Sequence, residues 1–520
     1  MQFNNLKKLL FPLVLLTLTL TTRFCFLDWG NGNFFNPDEN NMATSVAQMS
    51  SYDLNPRFFA YGQFPLFLTF FTTPNHNFSN IILTLRFWSA FFSSISIYFS
   101  YLIAKEIFKS KKIGYIFALI LIFTPGLIQS SHFGTTESIL FFVFLTNIYL
   151  SIKYYRQQKN IFLLFSILIS AIGFGSKITA IFFVLPIYIS FLLVFLKHKN
   201  IKKIILTSLI FSILFLLLSI IFSPFNLLNL NDFKSSMSYE TSVATGKLKV
   251  FYTRQFNDTI PYFFQFKNVF PYANGIFVFL FSLIGFIFFL KNKFNKDLLF
   301  IFIPSLIYFI YIGQLFVKWS RFVSPLFFIA PFFCLFIFKK IKNLFFTIVL
   351  LILMISPGIY FFHKYFSPDI RIVASEWIRA NIFSNSYVLS ESGNVANLPL
   401  SYSALRVENF DFYQLDTNKE FLEKLSNSLV SADYIIVPSR RVFKNQTGDN
   451  YPLSQRYYKN LFSGNFGFVE IAKIDNQKDL LLNSENAEET WSVFDSPTIR
   501  IYKKINNLAP DDYQELLSHN

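Results

Sequence analysis

The chain has 520 residues, of which 53% are hydrophobic and 15% charged, and 74 are phenylalanine. Soluble proteins carry roughly 25% charged residues, so the composition excludes an ordinary soluble chain and points to a membrane. The net charge of +16 does not indicate a nucleic-acid partner, because residues 1–362 hold 30 Lys and Arg against 10 Asp and Glu while residues 363–520 hold 16 against 20, with the excess base in short loops between apolar runs.

Apolar runs long enough for a bilayer core predict eleven spans, at about 7–27, 80–104, 113–131, 138–153, 160–176, 178–196, 203–224, 273–290, 298–317, 321–338 and 343–362. With Lys7 and Lys8 in the cytoplasm, alternate loops collect Lys105, Lys109, Lys111 and Lys112; Lys153, Arg156 and Lys159; Lys197, Lys199, Lys202 and Lys203; Lys291, Lys293 and Lys296; and Lys339, Lys340 and Lys342. That is 19 of the 30 bases before residue 363, as the positive-inside rule requires. An even number of spans would lose this agreement. No small-x-small cleavage site precedes Asp28, so the first run is expected to be a retained helix rather than a signal peptide.

The expected placement is a multi-pass protein of the plasma membrane with a cytoplasmic N-terminus. Outside lie the loop 28–79, the turns at 131–137 and near 177, the loop 225–272 and residues 363–520. Two domains follow, a transmembrane domain over 1–362 and an extracytoplasmic soluble domain over 363–520. In the latter, Tyr387–Leu389, Tyr434–Val437 and Thr498–Tyr502 read as strands, and 370–381 and 417–430 as helices. This alternation predicts a small α/β layer domain. The last dozen residues are polar and are expected to be disordered. Cys25 and Cys334 offer neither a metal-ligand spacing nor a disulfide framework.

Chemistry-bearing residues concentrate on the outer side. Asn36-Pro37-Asp38-Glu39 follows a Gly/Asn-rich stretch and opens a predicted helix. Acidic residues at a helix start complement its dipole. Outer acids are scarce here, however, and a carboxylate is also what a hydroxyl nucleophile needs for deprotonation. Next, Asn55 to Leu66, with Tyr61 inside it, has too many breakers to span and reads as segments on the outer membrane surface. Arg86 lies near the outer end of the second span and needs an anionic partner. Ser131-His132-Phe133-Gly134-Thr135-Thr136-Glu137-Ser138 places His132 and Glu137 around a helix start, where Glu137 and Ser138 could simply cap it. Lys177, alone between two apolar runs, stands on the wrong side for the basic-loop rule; it could bind a phosphate or snorkel. Lys318 and Arg321, in Val317-Lys318-Trp319-Ser320-Arg321-Phe322, pose the same choice. Tyr239, Glu240 and Arg254 are further polar candidates in the loop 225–272.

The Pro-Asp-Glu loop, the Ser-His-Phe-x-x-Thr-acid turn, the Lys177 turn and the Lys-Trp-x-Arg-Phe-x-x-Pro segment together resemble glycosyltransferase family 39. These are the dolichyl-phosphate-mannose protein mannosyltransferases and the bacterial aminoarabinose transferases, in the multi-spanning class C fold. The resemblance covers about residues 7–362. It implies an isoprenoid-phosphate sugar donor, polyprenyl or dolichyl, and inverting transfer at an outward-facing site to a protein, lipid or glycan acceptor. Asp38 takes the place of the loop-1 carboxylate, with Glu39 assisting. Glu137 takes that of the second outer acid, where many relatives have Asp. His132, Lys177, Lys318, Arg321, Arg86 and Tyr61 are the substrate-binding candidates, with Lys177, Lys318 and Arg321 for the phosphate. No metal and no other cofactor is expected. Competing readings are a lipid or glycan transporter, which would place polar groups near the bilayer midplane, and a silent scaffold displaying residues 363–520.

Overall fold

A computed structural model describes residues 2–293, 295–393, 398–400, 404–448, 450–475 and 482–518; the side chains of Lys7 and Lys8 lie outside the described ones. The chain divides into two compact units. One is Met1–Asp28, Asp38–Thr245 and Pro261–His363; the other is Trp29–Pro37, Gly246–Ile260 and Lys364–Asn520.

The first unit is helical. It begins with α1 (Gln2–Phe24), α2 (Pro37–Ala47), α3 (Phe64–Thr72), α4 (Phe78–Phe108), α5 (Lys111–Ile122), α6 (Pro125–His132), α7 (Glu137–Gln157), α8 (Asn160–Ser176), α9 (Leu185–His198) and α10 (Ile201–Phe222). Among the described residues, seven helices are long and apolar enough to cross a bilayer, or nine if each of two bent pairs is one span. Leu10–Phe24 and Asn160–Ser176 are shorter apolar helices. Each of the eleven expected spans falls on one of these helices or pairs. On α10 and Leu344–His363, apolar side chains such as Leu209, Ile221, Phe345 and Ile352 stay exposed, as a lipid solvent allows.

The bends have local causes. Between α5 and α6, bent by 58°, Pro125 lacks the N–H that would continue the ladder. At the break the Leu121 carbonyl accepts from Thr124 N at 3.3 Å instead of continuing the ladder, and the Ile122 carbonyl lies just beside it. Arg23, fully buried on α1, donates to both at 3.0 Å and to Ser93 Oγ at 3.0 Å. The second pair, Phe263–Asn274 with Ile276–Leu290, turns by 114° at Gly275, whose φ of +80° suits glycine. A 3₁₀ segment, Ile178–Val184, leads into α9. Asn147 on α7 donates to its Phe183 carbonyl at 3.0 Å and accepts from Ser166 Oγ at 2.8 Å. Unpaired backbone groups cost several kcal/mol in hydrocarbon, which explains these buried polar side chains. In the basic loops, Glu106 binds Lys153 at 2.6 Å and also Arg156, which in turn binds Asp297.

The second unit carries a five-stranded sheet of β1 (Tyr387–Glu391), β2 (Arg406–Phe410), β3 (Tyr434–Val437), β4 (Phe468–Ile474) and β5 (Ile499–Lys504), in the order β2-β1-β3-β5-β4. The β1 strand pairs in parallel with β2 and β3; β5 is antiparallel to β3 and β4. Both faces of β3 are buried. Ile435 and Val437 pack with Leu425, Leu429 and Tyr457, while Tyr434 and Ile436 pack with Ile370, Ala374 and Ile378. This explains the unbroken apolar run of that strand. The two strands absent from the sequence reading are the edges, β2 and β4, whose side chains are largely exposed. The expected disorder at the C-terminus is corrected: Pro510–Ser518 is a helix that buries Tyr513 and Leu517, because these residues one turn apart share an apolar face.

Candidate active site

Asp38 and Glu39 open α2, yet they face different surroundings. Glu39 is fully buried and accepts from Arg86 Nε at 3.0 Å and Nη2 at 2.8 Å. It also accepts from the Gly134 backbone N–H at 2.5 Å. Arg86 spends Nη1 on the Leu27 carbonyl at 2.8 Å. This bidentate pair therefore ties α2, α4, the end of α1 and the Phe133–Thr136 turn together. A Cβ at Gly134 would lie 2.6 Å from Leu85 Cβ, so the turn approaches α4 as closely as its sequence permits.

Asp38 is half-buried and binds Arg321 Nη1. The same Nη1 lies 3.4 Å from the Tyr61 hydroxyl, and the Arg321 guanidinium stacks 4.4 Å over Trp319. Among the described residues, Arg321 Nε is buried without a hydrogen-bond partner. Lys177 completes the cluster, with its ammonium 5.0 Å from both the Tyr61 and Phe322 ring centres. The Tyr61–Lys177 contact comes from a close backbone crossing. Gly62 N donates to Ser176 O at 2.8 Å, and a Cβ on Gly62 would fall 2.0 Å from the Gly175 oxygen. Gln63 fastens the same loop through Ser223 Oγ at 2.9 Å and Asn226 Oδ1 at 3.1 Å.

Two further carboxylates act on this cluster. Among the described residues, Glu137 Oε1 is buried without a hydrogen-bond partner. Burial pulls the Lys177 ammonium below its usual pKa, and Glu137 is the strongest charge opposing that shift. Glu240, on the helix Leu230–Ala244, is raised by burial and lowered by Arg321 and Lys177. That helix is anchored where Val317 N donates to Ala244 O at 3.3 Å.

The remaining candidates sit elsewhere in the geometry. His132 is fully buried, with Nδ1 2.8 Å from Ile128 O and Nε2 3.0 Å from Cys25 O. It thereby joins α6 to the end of α1. Lys318 donates to Phe316 O at 2.8 Å, and burial brings its pKa down to about 8. Arg254 belongs to the second unit. Sequence reading missed Arg23 and Asn147; a lone polar residue in an apolar run is their one signal. It also missed the placement of Gln63, which has no periodic signature. Among the described residues, no three His, Cys, Asp or Glu side chains gather as metal ligands.

Solved structures with this architecture include an oligosaccharyltransferase and ArnT. The Archaeoglobus fulgidus oligosaccharyltransferase in its apo form is 12% identical over 88% of this chain and 73% of its own, with a TM-score of 0.53. The Cupriavidus metallidurans ArnT bound to undecaprenyl phosphate is 10% identical over 95% and 97%, with a TM-score of 0.51. At these identities the likeness is one of fold. The chain thus shares the fold of these membrane glycosyltransferases, and its long apolar helices are those of a multi-pass membrane protein.

The family whose sequence pattern it matches is described as dolichyl-phosphate-mannose-protein mannosyltransferase, over residues 10–235. The expected resemblance to glycosyltransferase family 39 therefore holds where Asp38, Glu39, Arg86, Glu137 and Lys177 lie. Lys318 and Arg321 fall beyond the matched stretch. No curated protein matches the chain by sequence.

Proposed function

We propose that this protein transfers a monosaccharide from an isoprenoid-phosphate donor to an acceptor hydroxyl, with inversion, at the outer face of the membrane. The observation that carries the mechanism is the Asp38–Arg321 contact with Lys177 and Tyr61 beside it. The carboxylate takes the acceptor proton as the hydroxyl oxygen attacks the anomeric carbon. The bond from that carbon to the phosphate oxygen breaks, and its electron pair leaves with the lipid phosphate. Arg321 and Lys177 hold the charge that develops there. Attack opposite the leaving group inverts the sugar. The family pattern and the ArnT fold, whose solved form holds undecaprenyl phosphate, support an isoprenoid-phosphate donor.

The arginine contact adds an order to the reaction. While its oxygen is engaged by the Arg321 guanidinium, the Asp38 carboxylate is not free to accept from an acceptor hydroxyl. A donor phosphate competes for Arg321 and releases Asp38, so the base is freed when the donor is seated. Glu39 is engaged by Arg86 and Gly134, and its role in this reading is to hold α2 rather than to touch substrate. Orientation follows the basic loops. The grouping of Trp29–Pro37, Gly246–Ile260 and Lys364–Asn520 in one unit supports an outer location for all three.

The test is sugar transfer by purified protein reconstituted with a polyprenyl-phosphate sugar. Asp38→Asn at the parental rate would remove Asp38 as the base. Unchanged phosphate affinity in Arg321→Gln would remove Arg321 as the phosphate holder.

A further inference from the structure

The parallel part of the soluble sheet runs β2-β1-β3, so the chain passes to one side of β1 and returns on the other. In such sheets ligands bind outside the carboxyl ends of the two strands where the order reverses. Here that place lies between Glu391, which ends β1, and the Ser439–Arg441 segment that follows β3. Two stretches of the same unit cover it, Phe251–Phe256 and Glu488–Phe494. Gln255 joins them by donating to Glu488 Oε1 at 3.3 Å and accepting from Glu489 N at 3.3 Å. The Arg441 guanidinium lies 5.7 Å from the Phe251 ring centre and 5.8 Å from that of Phe494.

This closure pairs its polar groups badly. Among the described residues, Arg441 Nε and Nη1, Glu489 Oε2, Asn445 Oδ1, Gln446 Oε1, Tyr413 OH and Arg254 Nη1 are buried without hydrogen-bond partners. Arg441 and Glu489 are 3% and 0% exposed, and their nearest N···O approach is 3.4 Å. Native interiors seldom leave so many donors and acceptors unpaired in one place. Arg254, Arg441 and Glu489 all act on Tyr413 and Asn445 donates to Glu489 Oε1 at 2.6 Å, so both kinds gather in one place, as they do where a ligand has yet to supply the partners.

The chemistry of the walls narrows the class. The charged groups acting on the Tyr413 hydroxyl include Arg441, Glu489, Glu391 and Arg254, two of each sign, a mixture that favours a neutral ligand over an anion. Unfilled donors and unfilled acceptors call for groups that do both, and hydroxyls do. Aromatic faces supply the rest. Phe251 and Tyr413 stand 4.9 Å apart, Arg254 lies 4.8 Å over Tyr451, and Phe251 is 41% exposed at the rim. We propose that the crevice between the ends of β1 and β3, under the Phe251–Phe256 strap, binds a neutral saccharide. This would give the soluble unit a glycan site of its own, independent of the Asp38 centre.

The experiment uses the full chain in lipid nanodiscs without glycoside detergent, titrated by saturation-transfer NMR. Mannotetraose and chitotetraose are the neutral probes; inorganic phosphate and digalacturonate are the anionic ones. Saturable binding of a neutral probe is expected, weakened about 10-fold or more by Arg441→Gln, as for loss of a hydrogen bond to a charged group. Tyr413→Phe, which keeps the ring, is expected to weaken it less, and Arg321→Gln not at all. No saturable binding of either neutral probe overturns the proposal and leaves the crevice a hydrated polar cluster. Preference for an anionic probe overturns it, as does binding that survives both crevice variants or disappears with Arg321→Gln. Should Arg441→Gln not fold, Tyr413→Phe alone decides.

Discussion

Two arginine–carboxylate pairs begin at adjacent residues and differ in nearly everything else. Glu39–Arg86 is dry, bidentate and reinforced by a backbone N–H. Asp38–Arg321 is half-buried, and its Arg321 keeps a buried Nε without a hydrogen-bond partner among the described residues. The first arrangement is a structural clamp, since removing one partner strands a buried charge. The second is exchangeable, since partial solvation makes the pair weak for stability and leaves Arg321 able to take another anion. Adjacent positions in a sequence can thus carry opposite roles, because successive helical side chains lie about 100° apart around the axis.

The largest expected effect that would break this contrast is on turnover. Asp38→Asn is expected to lower sugar transfer by about 10²- to 10⁴-fold while moving stability by less than about 1 kcal/mol, read by transfer kinetics and thermal unfolding of the same preparation. Glu39→Ala or Arg86→Ala should do the reverse first, destabilising the fold by about 3–5 kcal/mol. The double variant should cost less than the sum of the two, because neither charge is then left alone. Equal stability losses at Asp38 and Glu39 would erase the distinction.

Arg321→Gln comes next, with transfer reduced about 10²- to 10³-fold, the usual loss for one charge-stabilising donor. In the same assay Asp38→Asn should bind a short polyprenyl phosphate more tightly than the parent, because the competing carboxylate charge is gone. Weaker binding in Asp38→Asn would contradict the displacement of Asp38 by the donor.

A smaller effect concerns pH. Burial holds the Lys177 ammonium below its usual value, so its proton, and with it phosphate affinity, is lost as pH rises through that lowered pKa. Lys177→Arg stays charged and should flatten this decline in a phosphate titration. The least effect is expected from Asn147→Ala, which leaves the Phe183 carbonyl unpaired at about 1–3 kcal/mol with transfer at permissive temperature unchanged.

Much of the architecture was legible in the sequence. Length and apolarity mark spans because the bilayer has a fixed thickness. The bends at Thr124–Pro125 and Gly275 were not legible as bends, since the packing that supports them comes from Arg23 and Pro357, distant in sequence. The edge strands β2 and β4 escaped for the opposite reason. Their side chains are mostly exposed, so no buried face imposes an apolar pattern on them.

For the site, the sequence by itself determined which residues are chemically available: carboxylates at 38, 39 and 137, and cations at 86, 177, 318 and 321. Residue type and position relative to the apolar spans follow from local composition. Only the tertiary structure decided the pairing. It joined Asp38 to Arg321 and Glu39 to Arg86, set Lys177 beside Tyr61 across the Gly62–Gly175 crossing, and gave His132 to two backbone carbonyls. Charges interact over a few ångströms, whereas these partners are separated by as many as 283 positions in the chain. Helix packing sets those distances, and local sequence carries no record of them.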